Sequence, residues 1–155
     1  MVHYFFDTSA LAKYYHPELG SDRVASIAAE ADGRVLISNL GFVEIQSVFA
    51  IKVRSGAISR EDAGLQRAQL VVDVAAGLIE VWRMNADHFP DAERLLGRYG
   101  FTYRLRTLDA LQLAVAIDLQ NQGLLDYFVA ADRTLLEVAR IVGLPVLNPE
   151  ERTSM

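Results

Sequence analysis

The chain of 155 residues contains no cysteine, three scattered histidines and only two lysines, Lys13 and Lys52. Without cysteine there are no disulfide bonds and no thiolate metal sites. The histidines at positions 3, 16 and 88 show no metal-ligand spacing, so we do not expect a zinc site. The lack of cysteine agrees with the cytoplasmic location that we expect for this protein.

The sequence also lacks a long hydrophobic run. No apolar stretch approaches the roughly 18 residues that a membrane-spanning helix needs, and we expect no membrane partner. The apolar run at the N-terminus stops at Asp7 and is too short for a secretory signal. A composition of 52% hydrophobic and 23% charged residues is typical of a globular protein. We expect one domain at residues 1–148 and a polar C-terminal tail at residues 149–155.

Short apolar or β-branched runs alternate with stretches of helical spacing along the chain. The runs predict strands at residues 2–6, 35–38, 79–83, 127–130 and 145–147. Helices are predicted after Asp7 and at residues 21–30, 42–53, 61–76, 86–98, 108–120 and 133–141. This alternation predicts an α/β fold in which helices cover both faces of a parallel sheet.

Four acidic residues lie where predicted strands end or predicted helices begin. Asp7 and Asp132 follow the ends of two strands, Asp109 lies in the first turn of a helix, and Glu44 lies in a second turn. In open α/β sheets, ligands bind at the edge formed by the carboxyl ends of the strands. We therefore expect the four side chains to surround one cavity at that edge.

Each acid alone also has a purely structural interpretation. Asp7 and Asp132 are suited to cap the helices that follow them, and Asp109 suits the positive end of a helix dipole. Glu44 could be a solvated residue of its helix. These structural roles do not account for carboxylates that are grouped. The electrostatic repulsion between two carboxylates about 5 Å apart is roughly 3 kcal/mol at an effective dielectric constant of about 20.

A divalent cation removes this repulsion. Mg²⁺ or Mn²⁺ with oxygen ligands suits a site without cysteine or histidine. Other uses of a strand-end Asp fit less well. Residues 8–10 lack the glycines of a dinucleotide-binding turn, no Gly-Lys-Ser/Thr phosphate loop is present, and Ser9 stands where a haloacid-dehalogenase-type phosphatase usually has a second Asp. The pattern indicates metal-assisted phosphodiester chemistry.

Four segments resemble the motifs of PIN-domain proteins, especially the VapC-type toxins of toxin–antitoxin pairs. They are FFDTSALAK at residues 5–13, FVEI at 42–45, TLDALQLAVA at 107–116 and FVAADRTLL at 128–136. Their order and spacing cover the chain from residue 2 to about residue 147, so the resemblance is to a whole domain.

The resemblance implies a three-layer α/β/α sandwich, Mg²⁺ with Mn²⁺ able to substitute, RNA cleavage, a homodimer and neutralisation by a small antitoxin. By position, Asp7, Glu44, Asp109 and Asp132 match the acidic quartet that is catalytic and binds metal. Ser9 matches a supporting hydroxyl near the first ligand. The chain departs from the pattern at position 130, where it has Ala and many relatives have Thr or Ser. The alternative function is a PIN-like module that binds a protein partner with little or no catalysis.

Three arginines precede Asp109 closely: Arg98, Arg104 and Arg106. Although the formal net charge is −5, a local basic strip can hold an RNA backbone, because the guanidinium fork suits phosphate. We expect this role for the three residues. The competing interpretation is that they pair with surface carboxylates.

The crossover between residues 38 and 79 is long enough for two helices joined near residues 55–59. Its apolar residues Phe49, Ile58, Leu65 and Leu70 exceed what a thin two-helix arm needs for its own packing. Because exposed apolar patches mark interfaces, we expect this arm, roughly residues 42–74, to contact the antitoxin.

Overall fold

The computed structural model describes residues 1–152, and strands alternate with helices along this part of the chain. The strands are β1 (Val2–Phe6), β2 (Gly33–Ser38), β3 (Ile79–Trp82), β4 (Tyr127–Val129) and β5 (Val146–Leu147). The helices are α1 (Thr8–Tyr15), α2 (Ser21–Ala28), α3 (Leu40–Arg54), α4 (Arg60–Ala75), α5 (His88–Tyr99), α6 (Thr107–Asn121) and α7 (Arg133–Ile141).

The strands form one sheet in the order β3-β2-β1-β4-β5, and every neighbouring pair is parallel. β1 lies at the centre, where Phe6 is in register with Val129 of β4. Asp7 continues this pairing, since its N–H donates to the carbonyl of Val129 at 3.1 Å. The predicted parallel sheet is confirmed, and its carboxyl edge brings the ends of β1 and β4 side by side.

The sheet separates two apolar cores, because successive side chains of a strand point to opposite faces. Phe5 and Phe128 belong to the core that contains α5, α6 and α7. Phe6 and Ile37 belong to the core that contains α1, α2, α3 and α4. The predicted three-layer α/β/α sandwich is therefore confirmed. No helix within residues 1–152 combines the length and the apolar character that crossing a membrane requires.

The two-helix arm corrects one prediction. Phe49 and Leu70 are buried in the core beside the sheet, with 1% and 0% of their surface exposed, and Ile58 packs against the same core. Of the four predicted contact residues only Leu65 is exposed. Helical spacing shows that such residues share a face, and for Phe49 and Leu70 that face packs into the domain's own core, so these two residues do not offer an apolar surface to a partner.

The beginning of the predicted tail contacts the domain. Lys13 of α1 is buried, with 6% of its surface exposed, and its Nζ donates to Glu150 Oε1 at 2.7 Å. A second carboxylate, Glu18 Oε1, lies 3.5 Å from the same nitrogen. Residues 153–155 lie outside the described part of the chain, and the domain boundary at residue 148 stays a prediction.

We expect Glu150→Gln to lower the free energy of unfolding by about 1.5–3 kcal/mol, because the buried ammonium of Lys13 loses its shortest charged partner. A loss of this size lowers the melting temperature by about 3–12 °C. The neighbouring Glu151 is exposed, so Glu151→Gln is the matched control. Equal melting temperatures for the two variants would show that the contact between Lys13 and Glu150 contributes nothing to stability.

Candidate active site

The structure places all four acidic residues around one pocket of about 520 Å³ at the carboxyl edge of the sheet. The ends of β1 and β4 supply Asp7 and Asp132, α3 supplies Glu44, and the start of α6 supplies Asp109. Ser9 and Arg106 also line the pocket.

Asp7 is fixed between β1 and α1. It caps α1, because its Oδ1 accepts the N–H of Ala10 at 3.0 Å, and the same atom accepts the hydroxyl of Ser9 at 2.6 Å. Only 6% of its surface is exposed. The capping interpretation and the site interpretation therefore both apply to Asp7.

Ser9 also joins the two strand ends. Its hydroxyl oxygen accepts the N–H of Ala131 at 3.0 Å, while its hydroxyl group donates to Asp7. Ala130 is fully buried and has no hydroxyl. The connection between Asp7 and the segment that precedes Asp132 is thus made without the Thr or Ser that many relatives have at position 130.

Glu44 is held by a buried glutamine that the sequence analysis did not single out. Gln112 of α6 has 2% of its surface exposed, and its Nε2 donates to Glu44 Oε1 at 2.8 Å. Its Oε1 accepts the hydroxyl of the buried Ser38 at 2.9 Å. The available signal was a polar residue three positions after Asp109, on the same face of an otherwise apolar helix.

We expect Gln112→Leu to lower the free energy of unfolding by about 1–3 kcal/mol, because the buried hydroxyl of Ser38 and the carboxylate of Glu44 both lose a partner. Gln46→Leu, on an exposed position of α3, is the control. Urea unfolding of both variants measures the effect. If the two variants unfold at the same urea concentration, the Gln112 contacts do not stabilise the domain.

Asp109 and Asp132 are joined through Arg106. Asp109 Oδ2 accepts the backbone N–H of Arg106 at 3.2 Å and its Nε at 3.3 Å. Asp132 caps α7, since its Oδ1 accepts the N–H of Leu135 at 2.9 Å. The other carboxylate oxygen of Asp132 lies 3.9 Å from Arg106 Nη2.

The other two arginines of the predicted basic strip lie elsewhere. Arg98 lines a separate cavity between α5, α6 and α7, and its guanidinium lies 5.6 Å from the centre of the Tyr99 ring. Arg104 is exposed and lines neither of these two cavities. The structure therefore brings only Arg106 to the acidic pocket.

The pocket disfavours further negative charge. Burial, with a smaller contribution from the nearby charges of Glu44 and Asp109, raises the pKa of Asp7 to about 7, and the hydrogen bonds from Ser9 and Ala10 oppose this rise. Burial also raises the pKa of Glu44 and of Asp109, against the hydrogen bond from Gln112 in the first case and the charge of Arg106 in the second. A bound cation would reverse these shifts.

The donor chemistry of the pocket suits a hard divalent ion, since its four acidic side chains offer oxygen and none of its lining residues is histidine or cysteine. The carboxylates do not yet converge: within residues 1–152, no three His, Cys, Asp or Glu side chains are grouped to hold one ion. Arg106 lies against two of the four acids. A metal ion at this site would need these side chains to move toward one another.

The sequence matches the model of the family described as PIN domain over residues 4–141. Comparison with curated proteins gives no match.

Solved structures show the same fold. Mycobacterium tuberculosis VapC20, a sarcin–ricin loop cleaving toxin, aligns with a TM-score of 0.67 and 19% identity over 97% of this chain and 99% of that one. Rickettsia felis VapBC2, bound to a DNA fragment from its promoter, gives 0.61 and 17% over 95% and 98%. FitAcB from Neisseria gonorrhoeae gives 0.54 and 17% over 94% and 97%. At these identities the likeness is one of fold.

Proposed function

Since the chain belongs to the PIN domain family, we propose that it is a metal-dependent endoribonuclease and the toxin of a toxin–antitoxin pair. The observation that carries this proposal is the pocket at the carboxyl edge of the sheet, which four acidic side chains line and in which two of them, Asp7 and Asp109, are buried. A module that only binds a protein partner gains nothing from the electrostatic repulsion between carboxylates that line one pocket. Hydrolysis by a bound Mg²⁺ or Mn²⁺ needs oxygen ligands for the ion, which these carboxylates can supply.

In this proposal Asp7, Glu44, Asp109 and Asp132 hold Mg²⁺, for which Mn²⁺ can substitute. The ion, when bound, supplies activation of a water molecule and stabilisation of the oxygen that leaves the cleaved bond. Other side chains of the protein orient these acids. Ser9 orients Asp7 through the 2.6 Å hydrogen bond to Oδ1, and Gln112 of α6 orients Glu44 through the 2.8 Å hydrogen bond to Oε1.

RNA approaches an acidic pocket against electrostatic repulsion, so positive charge beside the acids favours its capture. Arg106 is 73% exposed at the pocket and can contact a phosphate. Arg98 and Arg104 can add weaker contacts to a longer RNA, since both are exposed. Such contacts add affinity without sequence choice.

Resemblance to VapC-type toxins and the fold of VapC20 and VapBC2 support three further parts of the proposal. The protein acts on RNA in the cytoplasm, it forms a homodimer, and a small antitoxin neutralises it. Sedimentation at micromolar protein concentration tests the dimer, because a monomer alone at that concentration contradicts it.

Cleavage mapping on total RNA tests the enzymatic part of the proposal. Purified protein with Mn²⁺ is expected to cut a small number of RNA sites, and EDTA is expected to prevent every cut. The same cuts in EDTA would indicate a contaminating nuclease or a metal-independent mechanism. Intact RNA at every Mn²⁺ and Mg²⁺ concentration would instead favour the module that acts only by binding.

A further inference from the structure

Arg106 is the one basic residue among those that line the acidic pocket of the described chain. Its Nε lies 3.3 Å from Asp109 Oδ2 and its Nη2 lies 3.9 Å from Asp132 Oδ2. The charge of Glu44 also acts on it. One guanidinium therefore lies within 4 Å of two of the four acids that are proposed to hold the metal.

The backbone fixes where this side chain starts. Arg106 is the residue before α6, in an extended conformation with φ −88° and ψ 162°. Its N–H donates to the carboxylate of Asp109 in the first turn of α6. The side chain spans from there to Asp132 at the start of α7, so it lies between two ligands that come from different helices.

The contacts of the guanidinium are weak enough to be exchanged. The side chain is 73% exposed, and neither contact is a short, paired hydrogen bond. The Asp109 side chain is only 12% exposed, but the guanidinium faces solvent, and water and salt screen the attraction between an exposed charge and its partner. A divalent ion carries twice the charge and bonds carboxylate oxygen directly.

We propose that Arg106 is an exchangeable counter-ion of the pocket. It neutralises Asp109 and Asp132 in the metal-free protein and leaves them when a divalent ion binds, and its guanidinium is then available at the mouth of the pocket. The inference rests on the proposed function, because it takes these carboxylates to be metal ligands. It explains why they line one pocket without converging.

Exchange makes the metal and Arg106 competitors for the same oxygens. Removing the guanidinium by Arg106→Gln is therefore expected to raise the association constant for Mg²⁺ by about twofold to fivefold. Arg106→Lys keeps the charge and is expected to restore most of the lower affinity. Arg104→Gln is the matched control. It removes the same charge from a residue two positions earlier in the chain, and the side chain of Arg104 lines neither cavity.

Titration calorimetry with Mg²⁺ measures the four affinities, and melting curves verify that each variant is folded. A second measurement follows the arginine Nε–H signals in nuclear magnetic resonance spectra during the same titration. The Arg106 signal is identified by its absence from the Arg106→Gln spectrum. It is expected to shift during the Mg²⁺ titration, with the same midpoint as the calorimetric curve. The Arg104 signal is expected to stay in place.

Two results would overturn the exchange. An unchanged or weaker Mg²⁺ affinity in Arg106→Gln would show that Arg106 does not compete with metal. An equal rise in Arg104→Gln would show a general effect of charge. If the wild-type protein cuts RNA and binds Mg²⁺ but either result appears, only the exchange fails. If the wild-type protein binds no metal at all, both the proposed metal site and the exchange are wrong.

Discussion

Asp7→Asn is expected to stabilise the metal-free protein at pH 8 by on the order of 2–4 kcal/mol and to reduce RNA cleavage by at least about 100-fold. Asn keeps the shape of Asp and an oxygen that can cap α1, but it carries no charge. The variant therefore removes the buried charge without removing the helix cap.

The pH dependence follows from the raised pKa of Asp7. The pKa is about 7 in the folded protein, against an ordinary value of 3.8 for an aspartate, so the folded state binds the proton more tightly than the unfolded state. The stability from this proton is fully present below about pH 4 and is lost as the pH rises through about 7. We therefore expect Asp7→Asn to have a higher free energy of unfolding than the wild-type protein at pH 8, and we expect no such difference at pH 4.

Urea unfolding of both proteins in EDTA at the two pH values measures this difference. A variant that is less stable than the wild-type protein at pH 8 would mean that the charge of Asp7 is well compensated in the fold. RNA cleavage that persists at more than a tenth of the wild-type rate would assign Asp7 a capping role only.

Mn²⁺ is expected to raise the melting temperature of the wild-type protein by about 5–10 °C at a concentration 100 times its dissociation constant. Binding to the folded state alone supplies about 2.7 kcal/mol at that concentration, and each kcal/mol shifts the melting temperature of a domain of this size by about 2–4 °C. Relief of the repulsion between the carboxylates contributes to the affinity itself.

Two variants make this measurement specific. Asp7→Asn is expected to lose most of the shift. Asp126→Asn is expected to keep it, because Asp126 lies just before β4, at the opposite edge of the sheet, where it accepts the N–H of His3 at 2.7 Å. A melting temperature that does not change across the Mn²⁺ titration of the wild-type protein, in a sample free of other divalent ions, contradicts the metal site.

Local sequence was enough to predict the elements and the position of the acids. Strands such as Val2–Phe6 are short apolar runs, and in a parallel sheet their carboxyl ends must share one edge. The placement of Asp7 and Asp132 beside each other follows once β1 and β4 are neighbours. The family resemblance, which rests on the same segments, agrees with the match over residues 4–141.

Contacts between distant segments could not be predicted in the same way. Gln112 reaches Glu44 across 68 residues of sequence, and Lys13 reaches Glu150 across 137, so no local pattern reveals either pair. The burial of Phe49 depends on which face of α3 the sheet covers. Arg98 lies near Arg106 in sequence, but α5 directs it to a different cavity.

A crystal of the wild-type protein soaked in Mn²⁺ gives the most direct test, because the anomalous scattering of manganese locates the ion without assumption. We expect one or two peaks in the acidic pocket, about 2.1 Å from carboxylate oxygens of Asp7 and of at least one other acid of the quartet. We also expect Arg106 to have left Asp109. Absence of a peak at saturating Mn²⁺, or peaks only outside this pocket, would contradict the proposed metal-dependent nuclease.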